Sequence, residues 1–192
     1  MSTTINYTNE LGKPITEQQL NNISFYRKNT FEDNILKKVE TFDEGVLTHS
    51  LYYVENNENL NLLIDKFKNR KTTFYVNLAI NGIYTQYEAL TYFNNQLIEK
   101  ALLLDKNNDL TICYKEINLL DNSIITWEKY FYKPNGDLFI LFTYKSNGEL
   151  YSMIDFSKED GTGERLYNSS DVINFDWTGL EYYQNGNPII PI

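Results

Sequence analysis

The chain has 192 residues, and 26 acidic against 17 basic side chains leave it a formal charge of −9. Hydrophobic residues make up 42%, including 16 Tyr and 11 Phe, which is enough to fold one domain burying ~70% of its unfolded surface and excludes wholesale disorder. No run of ~18 apolar residues occurs, so a membrane-spanning helix is excluded as well.

The bases are 14 Lys and 3 Arg. A sequence pI near 4.7 opposes nucleic acid and anionic membrane surfaces, both of which require clustered cations. The charge suits a basic protein partner, drawn in by electrostatic steering. Met1–Tyr7 has neither a basic n-region nor an apolar h-region, so a cytoplasmic protein is expected. Cys113 is the single cysteine and forms no intrachain disulfide. Its place in Leu110–Tyr114 predicts a buried, inert thiol.

In chain order, the first predicted element is a short helical turn from Glu17 to about Ile23, because Thr16 and Gln19 have capping-box spacing. A second helix is expected over Asn59–Arg70, where Leu60, Leu63, Ile64 and Phe67 follow helical spacing. The remainder reads as strands punctuated by turns. Asn81-Gly82, Asn94-Asn95, Asn107-Asn108, Asp121-Asn122, Asn135-Gly136, Asn147-Gly148 and Asp160-Gly161 recur at intervals of 13, 13, 14, 14, 12 and 13 residues. Asn, Asp and Gly accept the positive φ of tight hairpins, and each interval accommodates one strand. Glu44-Gly45 and Asn185-Gly186 are candidate extensions of the series.

Two segments match closely. Tyr132-Lys133-Pro134-Asn135-Gly136-Asp137-Leu138 and Tyr144-Lys145-Ser146-Asn147-Gly148-Glu149-Leu150 share the pattern Tyr-Lys-x-Asn-Gly-acid-Leu, and Phe156–Thr162 is a degraded third copy. Over residues 130–156 this pattern resembles the MORN-like hairpin repeats of bacterial antitoxin and immunity-type proteins, and also the YD repeats of large toxin shells. With 9 Gly in the whole chain, it carries fewer glycines per unit than MORN repeats do. The resemblance implies a protein-binding role, in particular neutralisation of a toxin.

Ala101–Leu104 and Leu138–Phe142 are apolar at successive positions, so both faces of those strands need cover. The Asn59–Arg70 helix is the expected cover. The predicted fold is therefore mainly β, an antiparallel meander of about 8–11 strands with one or two short helices on one face. Closure as a barrel or folding into a sandwich would serve as cover too, and is expected ahead of an open single layer. One domain spans 1–192, with a helix-containing part at 1–72 and the meander at 73–192.

Recognisable catalytic chemistry is sparse. His49 is the single histidine, and no nucleophile-elbow motif surrounds a serine. Neither phosphate-loop signature occurs. The segment Asp155–Gly161 misses the calcium-loop register, with glycine one position late. No cofactor or metal is expected, and carboxylate-pair catalysis is left open by composition.

The window from Glu149 to Glu181 contains eight acids against Lys158 and Arg165, and so carries −6 of the −9 charge. Aromatic residues mix with the acids there. The candidate partner-binding residues are Glu149, Asp155, Glu159, Asp160, Glu164, Asp171, Asp176 and Trp177. The sequence thus points to a non-enzymatic module masking a basic protein such as a toxin. The alternative is a small-molecule carrier built as a β-barrel, its interior lined by Tyr and Phe.

Overall fold

The computed structural model describes residues 2–107, 110–156, 164–167 and 175–191, with the backbone alone for 164–167. In chain order the strands are β1 (Thr3–Asn9), β2 (Pro14–Ile15), β3 (Phe25–Glu32), β4 (Ile35–Asp43) and β5 (Val46–Val54). After the helix α1 (Leu60–Lys66) come β6 (Thr72–Asn81), β7 (Tyr84–Phe93), β8 (Gln96–Lys106) and β9 (Leu110–Ile117). The series continues with β10 (Ile124–Tyr132), β11 (Leu138–Tyr144), β12 (Leu150–Asp155) and β13 (Glu164–Tyr167). All 13 belong to one sheet, in the order β13 back through β3 and then β1 and β2.

The predicted meander is present, with three corrections. The outermost strands are β2 and β13, so the described sheet is open and forms neither a barrel nor a closed sandwich. The strands outnumber the expected range because β1 to β5 lie in the part read as helix-containing, ahead of the meander; a pair at Asp33 (φ 47°) and Asn34 (φ 67°) joins β3 to β4. And β5 pairs with β6 in parallel, Ser50 opposite Thr72 through Val54 opposite Val76. A parallel neighbour needs a crossover, and α1 lies in that crossover.

Both predicted helices form in shortened versions. The first is a 3₁₀ helix, Glu17–Asn22, where the Thr16 N–H donates to Gln19 Oε1 at 2.8 Å. The second is α1, capped by Asn59 Oδ1, which accepts from the N–H groups of Asn61 and Leu62. Phe67 ends the helix, short of Arg70.

The chain divides into two compact units. One comprises Met1–Asn77 and Ala89–Glu99, the other Leu78–Glu88 and Lys100–Ile192. In the first, Leu63, Ile64 and Phe67 pack on Tyr52, Val54 and Phe74. Beside them Lys37 is buried and donates to Glu55 and Glu58 at 2.7 Å each. Burial alone would lower its pKa, but the two carboxylates reverse the shift and raise it.

In the second unit Leu104, Cys113, Trp127, Ile140, Phe142 and Met153 form the centre of the core. Its cover differs from the expected one. It is the C-terminal segment, through Phe175, Trp177, Leu180, Tyr182, Tyr183, Ile189 and Ile190, that packs there. α1 instead covers the Tyr52–Phe74 cluster of the first unit. Sequence periodicity identifies a helix with one apolar stripe, but says nothing about which strands that stripe meets.

The matched heptapeptides fold alike. In one, Lys133 N–H donates to the Asp137 carbonyl at 2.9 Å and Gly136 N–H to the Lys133 carbonyl at 2.9 Å. In the other, Lys145 donates to Glu149 at 2.8 Å and Gly148 to Lys145 at 2.9 Å. Gly136 has φ 89° and Gly148 φ 87°, a region that glycine enters without a Cβ clash. The side chains of Asn135 and Asn147 each accept the N–H two residues on, at 3.1 Å. Each turn leads into a bulge opposite its Tyr, with Phe139 or Tyr151 as the extra residue on the strand that follows.

Candidate functional site

The C-terminal segment is held to the sheet of the second unit by a lysine. Lys129 on β10 is fully buried. Its ammonium donates to the carbonyls of Tyr182, Asn185 and Pro188 at 2.8, 2.8 and 3.0 Å. It also lies 3.6 Å from the centre of the Tyr182 ring, close enough for a cation–π contact. Burial pulls its pKa down to about 8. The three carbonyls use all three ammonium protons, so the charge is compensated without a carboxylate.

The same segment crosses the second heptapeptide turn. Gly186 N–H donates to the Gly148 carbonyl at 2.8 Å, and Asn185 pairs with Glu149 as a β-bridge. A Cβ on Gly186 would lie 2.6 Å from Trp127 Cζ2, so only glycine fits between the segment and that indole. Asn185-Gly186 is thus a docking point, where the sequence pattern had made it a candidate hairpin.

The first heptapeptide turn is open and borders a cleft of about 640 Å³. Tyr84, Tyr130, Phe131, Tyr132, Tyr182 and Tyr183 line it, together with Leu110, Ile112 and Pro191. Lys106 and Lys133, both exposed, are its charged lining residues among those described. Several tyrosine hydroxyls are turned to structural use. Tyr132 donates to the Thr111 carbonyl at 2.8 Å, Tyr130 to Glu128 at 2.6 Å and Tyr182 to the Ile189 carbonyl. Burial raises the pKa of Tyr130, Tyr132, Tyr182 and Tyr183. The cleft is therefore lined by aromatic and apolar side chains with two lysines among them. That arrangement can grip a flat or aliphatic group carrying an acceptor. Its signal in sequence is the dense run Trp127–Tyr132 with Tyr182-Tyr183, though nothing local shows that Lys106 joins it.

The predicted acidic residues that are described occupy separate elements of the second unit. Glu149 is exposed and paired with Lys145 at 3.1 Å. Asp155 lies at the other end of β12, about 20 Å away along the strand. Asp155 and Glu164 are backbone partners in the register of β12 and β13. Asp176 is exposed, and its Oδ1 accepts the Thr178 N–H at 3.0 Å. Trp177 is half-buried, its ring 5.9 Å from Phe142 and 4.8 Å from Phe175, so it serves the core. Glu159, Asp160 and Asp171 lie outside the described residues, as do the Asp160-Gly161 turn and most of the calcium-like segment.

His49 belongs to the first unit. Its Nε2 is 2.8 Å from Thr73 Oγ1, which is 2.8 Å from Thr91 Oγ1. Burial, followed by the nearby Lys71 charge, lowers its pKa. Cys113, in the second unit, is buried, and burial pushes its thiol up to about 11, which suits the inert role expected of it. No cluster of three or more potential metal ligands occurs among the described residues. Comparison with family models, curated proteins and solved structures found no match for this chain.

Proposed function

We propose that the protein is a non-enzymatic binding module that recognises another protein, in the manner of immunity or antitoxin proteins, and that the aromatic cleft anchors this partner. One observation carries the reading: rings line a 640 Å³ cleft beside an exposed repeat turn. Tyr and aromatic pockets dominate the energetics of protein recognition. The charge of −9 steers a basic partner as a whole. At the cleft the contact is more local, an apolar or aromatic side chain with an acceptor for Lys106 and Lys133.

The cleft volume also falls within the range used by small ligands, which favours a second reading, capture of a ring-bearing carboxylate. Tagged protein is used to pull partners from native lysate at low and high salt, beside Leu110→Trp, which fills the cleft. The expected result is one stoichiometric protein, released by salt from the native chain and absent with Leu110→Trp. Equal capture by both chains would remove the cleft from the account. No captured protein, with a small molecule retained in native mass spectrometry, would establish the second reading in its place.

A further inference from the structure

Strand β6 outruns its neighbour. Its pairing with β5 ends at Val54 opposite Val76, and β5 and β7 are its neighbours in the sheet. Among the described residues, Asn77–Asn81 therefore has β7 on one side and no strand on the other. All five residues are exposed, Leu78 at 50% and Ile80 at 70%. An open edge presents unpaired N–H and C=O groups, and proteins ordinarily guard such edges with charge, proline or a bulge. Here charge and proline are both missing. No residue from Thr72 to Tyr87 is charged and none is proline, and this is the longest uncharged stretch in the chain.

What fits such an edge is a strand, and the sequence specifies which. Asn77-Leu78-Ala79-Ile80-Asn81 reads nearly the same in both directions. Antiparallel pairing with its own copy, centred on Ala79, sets Leu78 against Ile80 and Asn77 against Asn81. Charge points the same way. Two chains of −9 repel wherever their acids face each other, and this uncharged stretch lets their backbones meet without that opposition. We propose that Asn77–Asn81 forms the interface of a homodimer, paired antiparallel about a twofold axis at Ala79. The contact is isologous, so it closes on itself and leaves no free edge of β6 to propagate a fibre.

Residues directly opposite in an antiparallel pair have Cβ atoms ~5 Å apart, so substitutions at Ala79 meet their own copy. Light scattering across about 1–500 µM should show the native mass rising from 22.6 kDa towards twice that value with concentration. Ala79→Lys and Ala79→Glu should each remain at 22.6 kDa with unchanged circular dichroism. An equimolar mixture of the two should regain the dimer. A native chain that stays monomeric throughout would overturn the proposal. So would a dimer indifferent to both substitutions, or two monomeric variants that fail to pair with each other.

Discussion

Between Tyr132 and Leu138 the chain turns in the open and borders a cleft, whereas between Tyr144 and Leu150 it makes the same turn against the C-terminal segment. The backbone bonds, the glycine φ angles and the Asn acceptors correspond. What separates the two is supplied from elsewhere in the chain. Gly186 and Asn185 dock on Gly148 and Glu149, and Lys129 anchors the carbonyls around them. A repeated heptapeptide therefore makes a turn, and a segment outside the repeat decides which copy is covered.

The largest effect should come from breaking the anchor. Lys129→Met leaves three carbonyls without their donor and should destabilise by about 3 kcal/mol in urea unfolding. Loss of contrast between the turns should follow, seen as faster hydrogen exchange at Gly186 and Gly148. Gly186→Ala comes next, at ~1–3 kcal/mol, because its methyl overlaps Trp127. A red shift of tryptophan fluorescence should accompany it.

Gly136→Ala and Gly148→Ala probe the turns themselves. Both glycines have positive φ, and the new Cβ at Gly148 meets Trp127 only at an ordinary 3.4 Å. Each should cost about 1–2 kcal/mol, with near-equal values. A large difference between them would show that the cover reshapes the turn. The smallest effect concerns the first unit. His49 has a lowered pKa in the fold, so the unfolded chain takes the proton first, and stability falls as pH drops through 6.5. The urea midpoint should decline between about pH 7.5 and 5.5, and His49→Gln should flatten that decline. The two turns lie in a unit without histidine, so exchange at Gly186 should add no histidine-linked step over that range.

Much of the fold was legible because it is written locally. Asn94, Asn95, Asn107, Asn122, Gly82, Gly136 and Gly148 all take positive φ where the turn series placed them. The helix expected from Asn59 begins there, with Asn59 as its cap. The parallel β5–β6 pair was not legible, since local periodicity does not encode strand direction. The cleft was half legible. Its aromatic residues form a visible run joined by Tyr182 and Tyr183, but Lys106 and Tyr84 reach it from distant segments through strand order alone. Lys129 was invisible for a related reason. Its partners are backbone carbonyls more than fifty residues away, and carbonyls leave no mark in a sequence.

The twin turns also provide the most direct test of the recognition site. A photo-crosslinking residue is placed at Lys133 in one preparation and at Lys145 in another; both positions are exposed and equivalent within the repeat. Each preparation is irradiated in native lysate. The account predicts a discrete protein adduct at Lys133, beside the cleft, and little at Lys145. Equal adducts at the two positions, or an adduct at Lys145 alone, would contradict it.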